Sequence, residues 1–103
     1  QRAAELLLLA PGAVQIYYGD ESERPFGPTG SDPLQGTRSD MNWQEVSGSK
    51  AQTVAHWQIL GQFRARHPSI GEGTQTTLSL KQGYGFTRQH QTDKVMVVWA
   101  GNQ

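Results

Sequence analysis

Hydrophobic and polar positions divide the chain into three regimes. Arg2 to Leu9 combines alanine, glutamate and four successive leucines, a run of strong helix formers that is apolar on more than one face. Pro11-Gly12 ends it, since proline cannot continue the hydrogen-bond ladder and glycine accepts a positive φ. Val14, Ile16 and Tyr18 then alternate with Gln15 and Tyr17 in a short β-branched and aromatic run, which predicts a buried parallel strand ending at Gly19-Asp20-Glu21. A second helix is predicted from about Lys50 to Arg66. Ser49 and Gln52 have capping-box spacing, and Ala51, Ala55, Ile59 and Phe63 form an i, i+4 stripe with Val54 and Trp57 on the other flank. From Gly71 the period becomes two. Thr77–Lys81, Tyr84–Arg88 and Val95–Trp99 read as three short antiparallel strands, with Gln82-Gly83 and Gln91-Thr92-Asp93 as turns.

Between the first strand and the second helix lies a long irregular stretch, residues 19–50, rich in proline and glycine. Structureless loops beyond about 12–15 residues are uncommon and usually functional or disordered. Phe26, Arg38, Met41 and Trp43 argue against a disordered linker, so an ordered loop over a pocket is expected.

Composition narrows the partners. Nine basic and nine acidic residues cancel, leaving no basic stripe for nucleic acid. Without cysteine there is neither a disulfide framework nor a thiolate metal site within the chain. The leucine run is far shorter than the roughly 20 apolar residues a bilayer span requires. An apolar share of 35% with twelve glycines implies a modest core, with part of the packing surface supplied from outside these 103 residues.

Motifs for catalysis are missing. Asp20 and Glu21 are adjacent, so on an extended backbone they point to opposite sides and cannot flank one scissile bond. Asp32 and Asp40 share the loop at a separation that spacing leaves open. His56, His67 and His90 lack metal-ligand spacing, and His67 reads as a cation at a helix C-terminus. Aromatics are denser around the strand end: Tyr17, Tyr18, Phe26, Trp43 and Trp57 could stack on the apolar faces of sugar rings, or pin the core and the loop.

Four stretches in order resemble the α-amylase family of glycoside hydrolases. They are Pro11-Gly12 with Ile16-Tyr17-Tyr18-Gly19-Asp20-Glu21; Asp32-Pro33 with Arg38, Met41 and Trp43; Phe63-Arg64-Ala65-Arg66-His67-Pro68; and Tyr84–Arg88 with Val95–Asn102. Val14 departs from the family pattern, which usually has proline there. The resemblance implies an α/β fold: residues 1–70 as the last helix–strand–helix portion of a (β/α)8 barrel, and residues 71–103 as the first antiparallel strands of a C-terminal β-sandwich domain. In isolation the segment would be α+β, loosely packed or associated with another copy.

The family hydrolyses α-1,4-glucosidic bonds with retention, through two carboxylates that the resemblance places upstream of Gln1. No catalytic residue is therefore assigned, and the segment alone is expected to be inactive. Tyr18, Arg38 and Trp43 match positions around the substrate cleft and are the candidate substrate-binding residues, with an α-glucan or maltooligosaccharide as partner. Calcium binds family members at an upstream insertion, so no metal site is expected in this chain. The resemblance also implies a periplasmic location. A non-catalytic carbohydrate-binding module, or another family member such as a transglycosylase, remains the alternative.

Overall fold

The computed structural model describes residues 2–25 and 39–100. Helix α1 (Arg2–Leu8) packs on the long helix α3 (Ala51–Arg66), preceded by a single-turn helix α2 (Trp43–Val46) and followed by another, α4 (Ser69–Glu72). Strands β1 (Thr74–Thr77), β2 (Tyr84–His90) and β3 (Asp93–Trp99) form an antiparallel sheet in the order β1-β2-β3.

The single-turn helices α2 and α4 have no counterpart in the sequence pattern, whereas α1 and α3 fall within a residue of expectation, with one correction. Lys50, not Ser49, is the cap residue of α3, and no side chain caps it. The Ser49 hydroxyl instead meets Glu45 Oε2 at 3.5 Å, so the capping-box spacing is diverted into the preceding turn.

The expected strand at 13–19 does not form: residues 13–17 belong to no helix or strand. A strand exists only through a neighbour's ladder, and the sheet that does form lies elsewhere in the chain. The barrel implied by the resemblance is thus not shown here. Gly12, at φ 77°, turns the chain out of α1, and its N–H reaches the Gly71 carbonyl at 2.8 Å.

In the sheet the register pairs Phe86 with Val97, Arg88 with Val95 and Tyr84 with Trp99. These residues share the face turned to the helices. Two expectations shift. The first strand spans Thr74–Thr77 rather than Thr77–Lys81, because Thr74–Thr77 oppose Gln89–Phe86. Leu78 and Leu80 follow it and lay their side chains over Gly85, which has no Cβ to obstruct them. The link to β2 consequently runs over residues 78–83 instead of a two-residue turn. Gly83, at φ 81°, closes it so near Trp99 that a Cβ would stand 1.9 Å from that carbonyl oxygen.

The core is small: Leu9, Ile70 and Val95 are buried together, with Leu60, Phe63, Val97 and Trp99 packed around them. Arginines complete it. Arg64 Nη1 donates to the carbonyls of Leu8 (2.9 Å) and Ala10 (2.7 Å), and Nη2 donates to that of Gly12. Arg88, 3% exposed, donates to the Leu9 and Ile70 carbonyls and to Gln75 Oε1, with its guanidinium over the Phe86 ring. Carbonyls at a helix end have no partner within the helix, and two cations brought from α3 and β2 supply one.

Candidate functional site

An apolar groove of about 530 Å³ opens beside residues 16–18. Ile16 and Tyr18 form one wall, Val54 and Trp57 of α3 another, and Met41 and Trp43 the rim, with Leu8 at its base. The second flank of α3 singled out by sequence therefore lines the groove. The stripe residue Ile59, by contrast, is exposed.

Two of the three expected substrate-binding residues meet here. Tyr18 and Trp43 both line the groove, with 46% and 73% of their surfaces exposed. Arg38, with Phe26 and Asp32, lies outside the described residues. Trp43 opens α2, and Tyr18 stands just before a tight turn whose middle, Asp20–Ser22, is 3₁₀-helical.

That turn holds the site together. Ser22 is fully buried. Its hydroxyl donates to Asn42 Oδ1 at 2.7 Å, while Asn42 Nδ2 donates to the Ser22 carbonyl at 2.8 Å and to Glu45 Oε1 at 2.8 Å. This reciprocal pair fastens the Tyr18 turn to the segment carrying Met41 and Trp43. Glu23, at φ 53°, is anchored on the start of α3: Thr53 Oγ1 donates to Oε2, and Lys50 Nζ lies 3.3 Å from Oε1. The Thr53 hydroxyl, then Lys50, holds the Glu23 carboxyl below its ordinary range.

Asp20 and Glu21 form no catalytic pair. Glu21 accepts the Gly19 N–H at 3.1 Å and closes the turn on itself. Among the described residues, no group of three or more histidine, cysteine, aspartate or glutamate side chains is placed to hold a metal ion. Nor is any helix among them long and apolar enough to cross a membrane.

Each histidine faces a carboxylate across an element boundary. His56 Nε2 lies 3.3 Å from Glu5 Oε2, His90 Nε2 lies 3.3 Å from Glu72 Oε2, and His67 Nδ1 lies 2.7 Å from Asp93 Oδ1. His67 is thus a partner of the sheet beyond its place at the helix end, a role its position before Pro68 did not signal. The His67 hydrogen bond, followed by those from Ser69, lowers the Asp93 carboxyl to about 2.

Sequence reading passed over Arg24, Ser22 and Asn42. Polar residues in a turn carry no periodic signal, and their importance comes from partners 15 to 20 positions away. Arg88 was legible in principle. The alternation Tyr84-Phe86-Arg88 places a charge on the apolar face, and a buried charge demands acceptors.

The sequence itself points to the carbohydrate-active class already suggested by the four motifs, the α-amylase-type glycoside hydrolases, although no family model matches the chain. A curated relative bears out that resemblance. The chain is 79% identical over 102 residues, 99% of its length, to the periplasmic alpha-amylase of Escherichia coli (strain K12). It spans 15% of that relative's length.

Proposed function

We propose that this chain is the C-terminal part of a periplasmic α-amylase-type hydrolase that cleaves internal α-1,4-glucosidic bonds of starch-type glucans and maltooligosaccharides. The observation that carries the reading is the 79% identity along nearly the whole chain to a protein named as a periplasmic alpha-amylase. The groove supports it: exposed Tyr18 and Trp43 on an otherwise apolar wall suit the C–H faces of glucose rings.

Hydrolysis proceeds with retention. A carboxylate attacks the anomeric carbon while a carboxylic acid protonates the leaving oxygen. Water, deprotonated by that second group now acting as base, then cleaves the glycosyl-enzyme, freeing the sugar and restoring both carboxyl groups. Both groups come from the rest of the enzyme. The residues described here shape one wall of the cleft, and Arg38 is assigned to substrate binding by its motif alone. Calcium, assigned by family resemblance to an upstream insertion, takes no ligand from this segment.

The test compares the complete enzyme with this chain alone. Cleavage of maltooligosaccharide is expected of the first and not of the second. Replacing Trp43 by alanine in the complete enzyme should raise KM by about tenfold, the scale of one lost aromatic contact. Turnover by the chain alone would overturn the reading. Saturable maltooligosaccharide binding by the chain alone, centred on Trp43 and Tyr18, would favour a binding module instead. Glucan products longer than the substrate would make the enzyme a transglycosylase.

A further inference from the structure

Arg24 belongs to none of the four motifs, yet it meets Tyr18 in several ways. Its Nε–H donates to the Tyr18 carbonyl at 3.2 Å. The guanidinium carbon sits 4.3 Å from the centre of the Tyr18 ring and 5.5 Å from that of Tyr17. Its Nη1 donates to the Ser39 carbonyl at 3.1 Å and to the Ser39 hydroxyl. Ser39 closes the circuit: its carbonyl accepts the Tyr18 hydroxyl at 2.5 Å, and its own hydroxyl donates to the Pro25 carbonyl at 2.7 Å. The tyrosine is thereby held at its backbone, its ring face and its hydroxyl.

The path of the arginine depends on Gly19. A Cβ at that position would lie 2.2 Å from Arg24 Nε and 2.7 Å from its Cβ and Cδ. The residue also sits at φ 96°, where other side chains are strained. The absence of a side chain leaves the notch through which Arg24 crosses to Tyr18, and the Arg24 N–H bonds the Gly19 carbonyl at 2.9 Å to fix the notch. The Glu23 and Ser22 anchors hold the turn on either side of it.

We propose that Arg24 is a positioning residue: it fixes the Tyr18 ring in the groove wall and so sets the affinity for the glucan. The inference rests on the reading of the groove as part of the glucan cleft. The chemistry requires arginine. Only a planar guanidinium can lie over an aromatic ring while donating in its own plane to two carbonyls, and the compact ammonium of lysine cannot.

Two measurements test it. In the complete enzyme, Arg24→Lys and Arg24→Met are expected to raise KM for maltooligosaccharide about fivefold, the scale of one cation–π contact, while lowering kcat much less. In a Tyr18→Ala background the same changes should add less than about twofold, because a residue acting through Tyr18 has nothing left to position. An unchanged KM in Arg24→Lys, or an equal rise with Tyr18 absent, overturns the proposal.

The second measurement is independent of activity and uses this chain. The Arg24 Nε proton is expected to be shifted upfield by the Tyr18 ring and protected from exchange. Tyr18→Phe should keep the shift and Tyr18→Ala should lose it. A shift that survives Tyr18→Ala overturns the clamp. A complete enzyme that leaves glucan uncut overturns the function proposed above and the link to affinity with it, whatever the spectrum shows.

Discussion

Arginines 24, 64 and 88 all point their charge at backbone carbonyls, and Arg24 and Arg88 reach side chains as well. A charged donor to a neutral carbonyl is stronger than an amide donor, and losing it leaves a buried oxygen without a partner. Arg88 shows the consequence most sharply, since burial lowers its pKa and its oxygen partners are uncharged. Replacement by methionine keeps much of the volume but orphans the Leu9 and Ile70 carbonyls. The loss should be about 2–4 kcal/mol, read from urea unfolding. Arg88→Lys is expected to recover only part of it, because one ammonium cannot serve Gln75 and two carbonyls in the guanidinium's geometry.

Between elements, the joint of α3, α4 and the β2–β3 hairpin rests on Asp93. Its carboxylate accepts from the Ser69 N–H at 3.0 Å and pairs with His67, while Glu72 and His90 pair across the same joint. The folded carboxyl titrates at about 2, below the ordinary 3.8, so its contribution is fully present above pH 3.8. That contribution should be lost as pH falls from 3.8 towards 2. A series of melting temperatures across this range is expected to slope downward towards acid, and Asp93→Asn should flatten the slope. A slope unchanged by the substitution would place the acid sensitivity elsewhere.

The same joint shows which parts of the fold were legible in the sequence. Helices α1 and α3 and strands β2 and β3 could be read because their periodicity is local. The strand at Val14–Tyr18 carried an equally strong local pattern and still did not form. Its pattern states a preference for a pleated, buried place, and the place itself must come from neighbouring strands. The first sheet strand slipped by three residues for a related reason: Leu78 and Leu80 alternate as a strand would, but the pairing with β2 decides the register. At the site, aromatic density marked the strand end and the family resemblance singled out Tyr18 and Trp43, which line one groove. The polar staples behind them are set by contacts distant in sequence and left no local trace.

For the whole molecule, burial is lopsided. Among the described residues six hydrophobic side chains are buried, whereas ten large ones are exposed, including Ile16, Ile59, Met96 and Val98. Met96 and Val98 lie on the sheet face turned away from the helices, and Ile16 and Tyr18 line the open groove. Apolar groups exposed in this number, gathered on a sheet face and in a groove, suit contact with another surface. The isolated chain is therefore expected to self-associate as its concentration rises, with a weight-average mass above 11.4 kDa by sedimentation. A strictly monomeric chain at high micromolar concentration would contradict this.

The arginine bonds at the end of α1 also impose an order in time. The carbonyls of Leu8, Ala10 and Gly12 wait for a residue more than fifty positions later, and that of Leu9 waits for one 79 positions later. Trp99 Nε1 reaches Glu5 across 94 positions. Although it precedes the other elements of this segment, α1 is therefore among the last of them to be secured, and loop closure of this length slows folding. Amide exchange during refolding should show the α3 amides protected before those of α1, with α1 and β2 gaining protection together. A chain ending at residue 80 should leave α1 as fast-exchanging as an unfolded peptide. The two ends of this sequence fold as one event.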